Sequence, residues 1–151
     1  MDLAPDFDEC CALLTAHAVE FVIVGAHALA FHGAPRFTGD LDILVRPTEE
    51  NGRRLLLAIA DFGFPAASLT PADIVAGSKV IEMGVEPVQI HVMSQIDGVA
   101  WDEVWEGRQI GPLGSQSVAF IGREAFLRNK RAAGRPKDLA DVEALREPGG
   151  Y

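Results

Sequence analysis

Residues 21–45 read Phe-Val-Ile-Val-Gly-Ala-His-Ala-Leu-Ala-Phe-His-Gly-Ala-Pro-Arg-Phe-Thr-Gly-Asp-Leu-Asp-Ile-Leu-Val, and this stretch decides the fold of the chain. Its four leading apolar residues and the glycine after them predict a buried strand that closes in a tight turn at Gly25. A short helix follows and ends near Gly33 and Pro35, because glycine permits helix-ending backbone angles and proline cannot continue the helical hydrogen bonds. The chain then re-enters a strand over residues 39–45.

Two carboxylates stand on this second strand. Side chains alternate along a strand, so Asp40 and Asp42 share one face, about 7 Å apart at the backbone, while the apolar residues between them face the core. Adjacent carboxylates repel each other unless a cation lies between them. Mg²⁺ suits such oxygen ligands and binds one or two carboxylates together with substrate phosphates. Free N–H groups where the turn at Gly25 enters the helix suit a phosphate. The layout is typical of a nucleotide-and-metal site, although Asp-x-Asp alone also fits a polar strand entry.

The rest of the chain alternates helical and strand patterns. Helical spacing and capping residues predict further helices over 6–18, from Thr48 to Gly63, from Thr70 to Gly77, over 101–105, and from Arg123 and Lys137 onward. Alternating apolar residues predict strands over 79–84 and 87–92, joined as a hairpin near Gly84, and over 109–110 and 116–121.

In combination these features resemble the minimal nucleotidyltransferases of the DNA polymerase beta superfamily, in particular their abortive-infection (AbiEii-like) toxin branch. The resemblance rests on Gly25-Ala26, on the segment 35–39 (Pro-Arg-Phe-Thr-Gly), on Asp40-x-Asp42 and on the C-terminal motif over 129–141. It implies an α/β (α+β) nucleotidyltransferase fold with a mixed central sheet flanked by helices and with C-terminal helices. We expect residues 1–151 to form one such domain.

The resemblance also implies roles for individual residues. In the family a glycine turn and basic side chains hold the triphosphate, and paired aspartates hold the metals. The corresponding positions here are Gly25, Ala26, Arg36, Thr38 and Lys130 for the nucleotide, and Asp40 and Asp42 for the metal and catalysis.

Two aspartates in the last helix are implied to support the lysine. Asp138 and Asp141 lie three residues apart, and such residues share a helical face. Either could hold Lys130 or Arg131 by ion pairing and so fix the triphosphate contact or the catalytic geometry. The alternative is a salt-bridged helix with no catalytic role.

His91 is the chief departure from the family pattern. The family carries a third aspartate on the strand beside Asp-x-Asp, where it completes the metal site and can act as the base for the attacking hydroxyl. Alignment through residues 94–99 puts His91 at that position. Three alternatives are open. His91 could be the general base, with an unperturbed pKa of about 6.5, or a ligand for a softer metal such as Mn²⁺ or Zn²⁺. The second metal could also be lost, which would leave a nucleotide-binding protein that catalyses poorly.

The composition of the chain argues against several classes of protein. The net charge is −9, from 13 basic and 22 acidic residues, which argues against a broad nucleic-acid surface. Six of the basic residues lie within 123–137, where a local basic face could hold a triphosphate or a few RNA phosphates. Cys10 and Cys11 match no disulfide or zinc spacing. The apolar runs fall short of a membrane span, and no secretory leader is evident, so we expect a cytoplasmic protein.

The leading interpretation is a metal-dependent nucleotidyltransferase that moves a nucleoside monophosphate from an NTP to a hydroxyl, using Mg²⁺ or Mn²⁺. By resemblance the acceptor is a tRNA end or a protein hydroxyl. The implied setting is toxin–antitoxin or phage defence, with a cognate antitoxin as a partner and no membrane. The alternative is a catalytically degenerate nucleotide sensor or assembly partner on the same fold. It is favoured by His91, by Ala26 in place of a second glycine or serine, and by the acidic charge.

Overall fold

The computed structural model describes residues 3–34, 39–85 and 87–149. The helices in these ranges are α1 (Pro5–Ala16), α2 (Gly25–Phe31), α3 (Glu49–Phe62), α4 (Pro71–Ala76), α5 (Trp101–Glu106), α6 (Arg123–Ala133) and α7 (Pro136–Gly149). The strands are β1 (Phe21–Val24), β2 (Asp40–Val45), β3 (Ile81–Val85), β4 (Val88–Met93), β5 (Gln109–Leu113) and β6 (Gln116–Phe120).

Local capping explains where several helices begin and end. The Thr48 hydroxyl accepts the Asn51 N–H at the start of α3, and Gly63 ends that helix with a φ of 100°, an angle that glycine adopts without steric cost. These boundaries confirm the predicted ones. The first helix, predicted to reach Ala18, instead ends at Ala16, because Ala18 takes a left-handed φ of 58° that a helix cannot continue.

The six strands form one mixed sheet in the order β3-β4-β2-β1-β6-β5. Strands β2 and β4 are parallel, as are β1 and β6, and the remaining neighbours are antiparallel. The predicted hairpin near Gly84 is the β3–β4 pair. Asp42 is the register partner of His91, so the two residues stand side by side on one face, as the alignment predicts.

One hydrophobic core lies against the sheet and includes all four residues of β1. On β2, Leu41 and Ile43 are fully buried, whereas Asp40 and Asp42 are half-buried on the opposite face. Cys10 and Cys11 pack in this core as free thiols, and burial raises the pKa of each to about 12. Both cysteines therefore contribute to the packing of the core.

Strand β2 lies third in the sheet, flanked by β1 and β4. Its two aspartates consequently sit between the turn that leaves β1 and the polar face of β4.

Among the described residues, no helix is both long and apolar enough to cross a membrane.

Candidate nucleotide and metal site

A cavity of about 400 Å³ opens over the polar face of β2 and β4, and we call it the site cavity. It is lined by Val24, Gly25, Asp40, Asp42, His91, Met93, Gln95, Ile96, Asp97, Asn129, Lys130, Ala133, Arg135, Lys137 and Asp138. Residues from β1, β2, β4, α6 and α7, far apart in sequence, thus face one space.

His91 and Asp42 form a hydrogen-bonded pair at the centre of the site cavity. His91 Nδ1 lies 3.1 Å from Asp42 Oδ1, and His91 Nε2 lies 3.1 Å from the Gln89 carboxamide. An ionised carboxylate only accepts hydrogen bonds, so His91 Nδ1 carries a proton. The Gln89 atom nearest Nε2 is the carboxamide oxygen, which is also an acceptor, so a neutral ring offers a lone pair on Nε2 only when this carboxamide turns away. Burial raises the pKa of Asp42, although the neighbouring His91 opposes the shift.

Gly25 leaves room for the Asp42 carboxylate. Its φ is +70°, and a Cβ added to Gly25 would lie only 2.2 Å from Asp42 Oδ2. The close approach and the backbone angle both require glycine at this turn. This is the physical reason that the turn and the Asp-x-Asp strand occur together.

We predict that Gly25→Ala will lower activity about 100-fold if Asp42 is catalytic, as the sequence resemblance implies, because displacing a catalytic group by about 1 Å costs that much. Gly33→Ala is the matched control: Gly33 also has a positive φ, of +102°, but nothing lies within 4 Å of its added Cβ. Gly33→Ala should lose only about 1 kcal/mol of stability from backbone strain, and Gly25→Ala should lose more, because its contact with Asp42 adds to that strain. Thermal melts and turnover of the two proteins check this. Equal activity in both variants would contradict the proposed role of the contact.

Lys130 of α6 is held by both aspartates of α7. Its Nζ lies 3.3 Å from Asp138 Oδ1 and 3.3 Å from Asp141 Oδ2. The Arg135 Nε donates to Asp138 Oδ2 at 2.6 Å. The Asp138 side chain is fully buried and that of Asp141 is 3% exposed. The predicted ion pairing with Lys130 is therefore present for both aspartates, and it ties α6 to α7 beneath the site cavity.

The pKa of Asp138 reflects two opposed effects. Burial acts to raise it, but hydrogen bonds and charge from Arg135 and Lys130 outweigh the burial and leave the pKa lowered. Asp138 is accordingly a carboxylate at neutral pH, and its charge is matched by the two cations.

The charges around the site cavity do not favour a bare triphosphate. Among the described residues, its lining contains four carboxylates (Asp40, Asp42, Asp97 and Asp138) and three permanent cations (Lys130, Arg135 and Lys137). Lys130 and Arg135 are already engaged by Asp138. A polyphosphate therefore needs a divalent cation on the β2 side of the cavity to offset Asp40 and Asp42.

The two β2 carboxylates fit such a cation in part. Both line the site cavity, and magnesium commonly takes one or two carboxylates and completes its shell with water and substrate phosphates. Within the described ranges 3–34, 39–85 and 87–149, however, no three His, Cys, Asp or Glu side chains group closely enough to hold a metal alone. The donor set thus fits a cation shared with a nucleotide rather than one held in a protein cage.

Other predicted site residues lie around or outside the cavity. Ala26 is buried and is not among the lining residues, and Asp141 contacts Lys130 without lining the cavity. Arg36 and Thr38 fall outside the described residues.

Sequence reasoning missed several residues that the fold brings to the site. Gln89 bonds His91, and Asn129 donates to the Asp97 carbonyl at 2.9 Å. Lys137 was recognisable only as one member of the basic segment. Burial lowers the pKa of His27, although the nearby Asp42 acts to raise it. The sequence carried a signal for the basic segment, for the motif over 129–141 that contains Asn129, and for Gln89 on the His91 face of its strand, but not for their contacts.

Two solved structures are similar to this chain over almost its whole length. The first is a proposed nucleotidyltransferase from Thermotoga maritima, with 14% sequence identity, a TM-score of 0.59, and coverage of 95% of this chain and 90% of that one. The second is the lincosamide antibiotic adenylyltransferase LnuA with lincomycin bound, with 12% identity, a TM-score of 0.59, and coverage of 96% and 97%. This chain has the nucleotidyltransferase fold. Sequence comparison finds no matching family model and no matching curated protein.

The predicted fold class is therefore confirmed. The nucleotidyltransferase fold of this chain has Gly25, Asp40 and Asp42 on adjoining elements, as the sequence resemblance implies. Membership of the abortive-infection toxin branch stays a prediction, because identities of 12–14% show the fold alone.

Proposed function

We propose that this protein transfers a nucleoside monophosphate from an NTP to a hydroxyl acceptor, with Mg²⁺ or Mn²⁺ as the metal. One observation supports the proposal above all: the Asp42–His91 pair, Asp40, the turn at Gly25 and Lys130 all line one cavity of about 400 Å³. The nucleotidyltransferase fold of the two solved neighbours supports the same reaction class.

In this proposal Asp40 and Asp42 hold the metal, which would stabilise charge on the attacking and leaving oxygens. Backbone N–H groups at the Gly25 turn and the cations of α6 and α7 orient the triphosphate. His91 acts as the general base. The Asp42 carboxylate accepts its Nδ1–H, so the basic Nε2 is available to the acceptor hydroxyl once the Gln89 carboxamide gives way.

The direct test is incubation of the purified protein with each α-labelled NTP, with Mg²⁺, Mn²⁺ or a chelator, and with separate RNA, protein and small-molecule fractions of a cell extract. The proposal expects label on one acceptor class, only with metal. An Asp42→Ala control should abolish the label. Nucleotide binding without label under either metal would instead favour the nucleotide sensor on this fold.

We predict that His91→Asp will keep magnesium-dependent turnover, because it supplies the carboxylate that the family uses at this position. His91→Asn should lower turnover about 100- to 1,000-fold, since it removes the base and retains a polar side chain. Turnover measured with Mg²⁺ and Mn²⁺ checks both variants. If His91→Asn were as active as the unmodified protein, the assignment of His91 as base would be wrong.

The acceptor and the biological setting are the finer part of the proposal. The sequence resemblance supports a tRNA end or a protein hydroxyl, a cytoplasmic reaction, and a toxin–antitoxin or phage-defence role with a cognate antitoxin. LnuA is an adenylyltransferase for a lincosamide, and this adds a small-molecule hydroxyl as a third acceptor class. The labelled fractions distinguish the three.

The second candidate, a nucleotide sensor, has one structural observation in its favour. Both ring nitrogens of His91 are within hydrogen-bond distance of protein groups, so Nε2 is not presented to a substrate in this arrangement. A sensor would be stabilised against heat by an NTP and metal without consuming the NTP.

A further inference from the structure

A second cavity adjoins the site cavity, on the far side of the segment 94–98. It has a volume of about 320 Å³. It is lined by Leu44, Pro47, Val75, Gly77, Ser94, Gln95, Ile96, Gly98, Val99, Ala100 and Trp101. Gln95 and Ile96 line both cavities, so an occupant of the second cavity would lie beside the reacting centre.

The wall between the cavities is held from both sides. The buried Ser94 hydroxyl donates to the Ile74 carbonyl of α4 at 2.6 Å. On the other side, Asn129 of α6 donates to the Asp97 carbonyl, and a Cβ on Gly98 would come within 2.4 Å of the Ala132 methyl. These contacts fix the shape of the second cavity, and small-molecule sites are usually largely pre-formed in this way.

Most side chains that line the second cavity are apolar, although polar atoms supply nearly as much of its surface as apolar atoms do. None of the described residues that line it is charged. Its polar side-chain groups are the Ser94 hydroxyl, which is used by Ile74, the buried Trp101 indole N–H, which has no hydrogen-bond partner among the described residues, and the carboxamide of the exposed Gln95. Gly77 at the end of α4 approaches Gln95 closely, since an added Cβ would lie 2.8 Å from its Oε1. Gln95 therefore presents both a donor and an acceptor where the cavities meet.

We propose that the second cavity binds the acceptor, and that the acceptor is an uncharged small-molecule alcohol with an apolar body. This rests on the proposed nucleotidyl transfer at the site cavity. The apolar body would pack against Val75, Val99 and Trp101, and Gln95 would orient the hydroxyl toward the site cavity. An RNA end would bring phosphates, which need cations, and the lining residues that the structure describes supply none.

The acceptor hydroxyl, the NTP and His91 account for every bond and proton in the transfer step. The acceptor oxygen forms a bond to the α-phosphorus of the NTP, and the bond from that phosphorus to the bridging oxygen breaks. Pyrophosphate leaves with the electron pair, and the hydroxyl proton passes to His91 Nε2. The product is a phosphodiester of the alcohol and the nucleoside.

The experiment uses 1-naphthalenemethanol as the probe alcohol and fills the cavity by mutation. Val75 is 49% exposed, so Val75→Trp can project into the second cavity without disturbing the core. Val85→Trp is the matched control, because Val85 is 80% exposed and lines neither cavity. In the full-length protein with α-labelled ATP and Mg²⁺, Val75→Trp should raise the KM for the alcohol about tenfold or more. The KM for ATP should stay within about twofold, and Val85→Trp should change neither.

A binding measurement separates this inference from the proposed function. Titration of the methyl-labelled protein with the alcohol should shift the NMR signals of Val75 and Val99 but not that of Val85, whether or not turnover occurs. Absence of these shifts would overturn the inference. So would transfer of label to RNA or protein that Val75→Trp leaves unchanged, although that result would uphold nucleotidyl transfer. Methyl shifts without transfer to any acceptor would overturn the proposed function and leave the binding site standing.

Discussion

Asp42→Asn is expected to lower transfer about 1,000-fold while leaving the protein at least as stable as before. The loss in rate follows because the neutral amide lacks the negative charge that strengthens binding of a divalent cation and supports charge on His91, and electrostatic groups of this kind are worth that much. The stability follows from the raised pKa of Asp42, which burial causes and His91 only partly offsets. A charge that the folded state disfavours is removed, and the shape beside Gly25 is kept.

The pH dependence gives this prediction a second measurement. The pKa of an aspartate carboxyl in the unfolded chain is about 3.9. A carboxyl whose pKa is higher than this in the folded state lowers the free energy of unfolding as the pH rises from the unfolded pKa through the folded pKa, because it ionises more easily in the unfolded chain. Asp42→Asn should therefore gain relative stability across that interval and hold the gain at neutral pH. Denaturant melts at several pH values, read beside turnover, provide the check.

Asp102→Asn is the control for Asp42→Asn, since the Asp102 side chain is 88% exposed and lies outside the site cavity. It should alter neither turnover nor stability appreciably. An active Asp42→Asn protein would remove the basis for metal-dependent transfer. An inactive and strongly destabilised one would show that Asp42 serves the fold more than the chemistry.

Asp138→Asn is expected to cost about 3 kcal/mol of unfolding free energy, the lower end of the range for breaking a buried ion pair. The cost comes from Arg135, which loses its carboxylate partner at 2.6 Å. It lies at the lower end of the range because Lys130 keeps its ion pair with Asp141. For a chain of this length the loss corresponds to a fall in Tm of roughly 10 °C. Thermal and denaturant unfolding measure it directly, with Asp102→Asn again as control.

The effect of Asp138→Asn on stability should depend on pH in the opposite sense to the effect of Asp42→Asn. The pKa of Asp138 is lowered overall, so its stabilising contribution is present above its unfolded value of about 3.9 and is lost as pH falls through the folded pKa. The difference in free energy of unfolding between the unmodified protein and Asp138→Asn should be constant near neutral pH and should disappear below about pH 4. A difference that persists in acid would mean that shape, not charge, accounts for the effect of Asp138.

The periodic and capping signals predicted the secondary structure well, and the reason is that each acts within a few residues. Thr48 and Gly63 bound α3 through local hydrogen bonds and one backbone angle, and alternation along 39–45 correctly assigned Asp40 and Asp42 to the polar face. The end of α1 was misplaced by two residues, because nothing in the apolar spacing signals the left-handed angle at Ala18.

The candidate site was predicted in outline by resemblance, but its contacts were not. Lys130 and the α7 aspartates were expected to pair, but the structure adds a local ion pair between Asp138 and Arg135, three residues before it. Asp97 and Asn129 lie in the segments 94–99 and 129–141 on which the resemblance rests. Alternation along 87–92 puts Gln89 on the same face as His91. Their contacts had no signal, since these come from the three-dimensional arrangement around the site.

The sequence by itself determined the order of elements, the paired carboxylates on one strand face and the glycine turn before them, because strand alternation and glycine's backbone freedom are local properties. The tertiary structure alone decided that His91 bonds Asp42 through Nδ1, that Lys130 is clamped by two buried aspartates, and that an uncharged cavity shares Gln95 with the site. These features depend on the parallel register of β2 with β4 and on how α6 and α7 pack over the sheet. The Asp42–His91 contact joins residues 49 positions apart, and the Lys130 contacts join two different helices, so no local pattern records these distances.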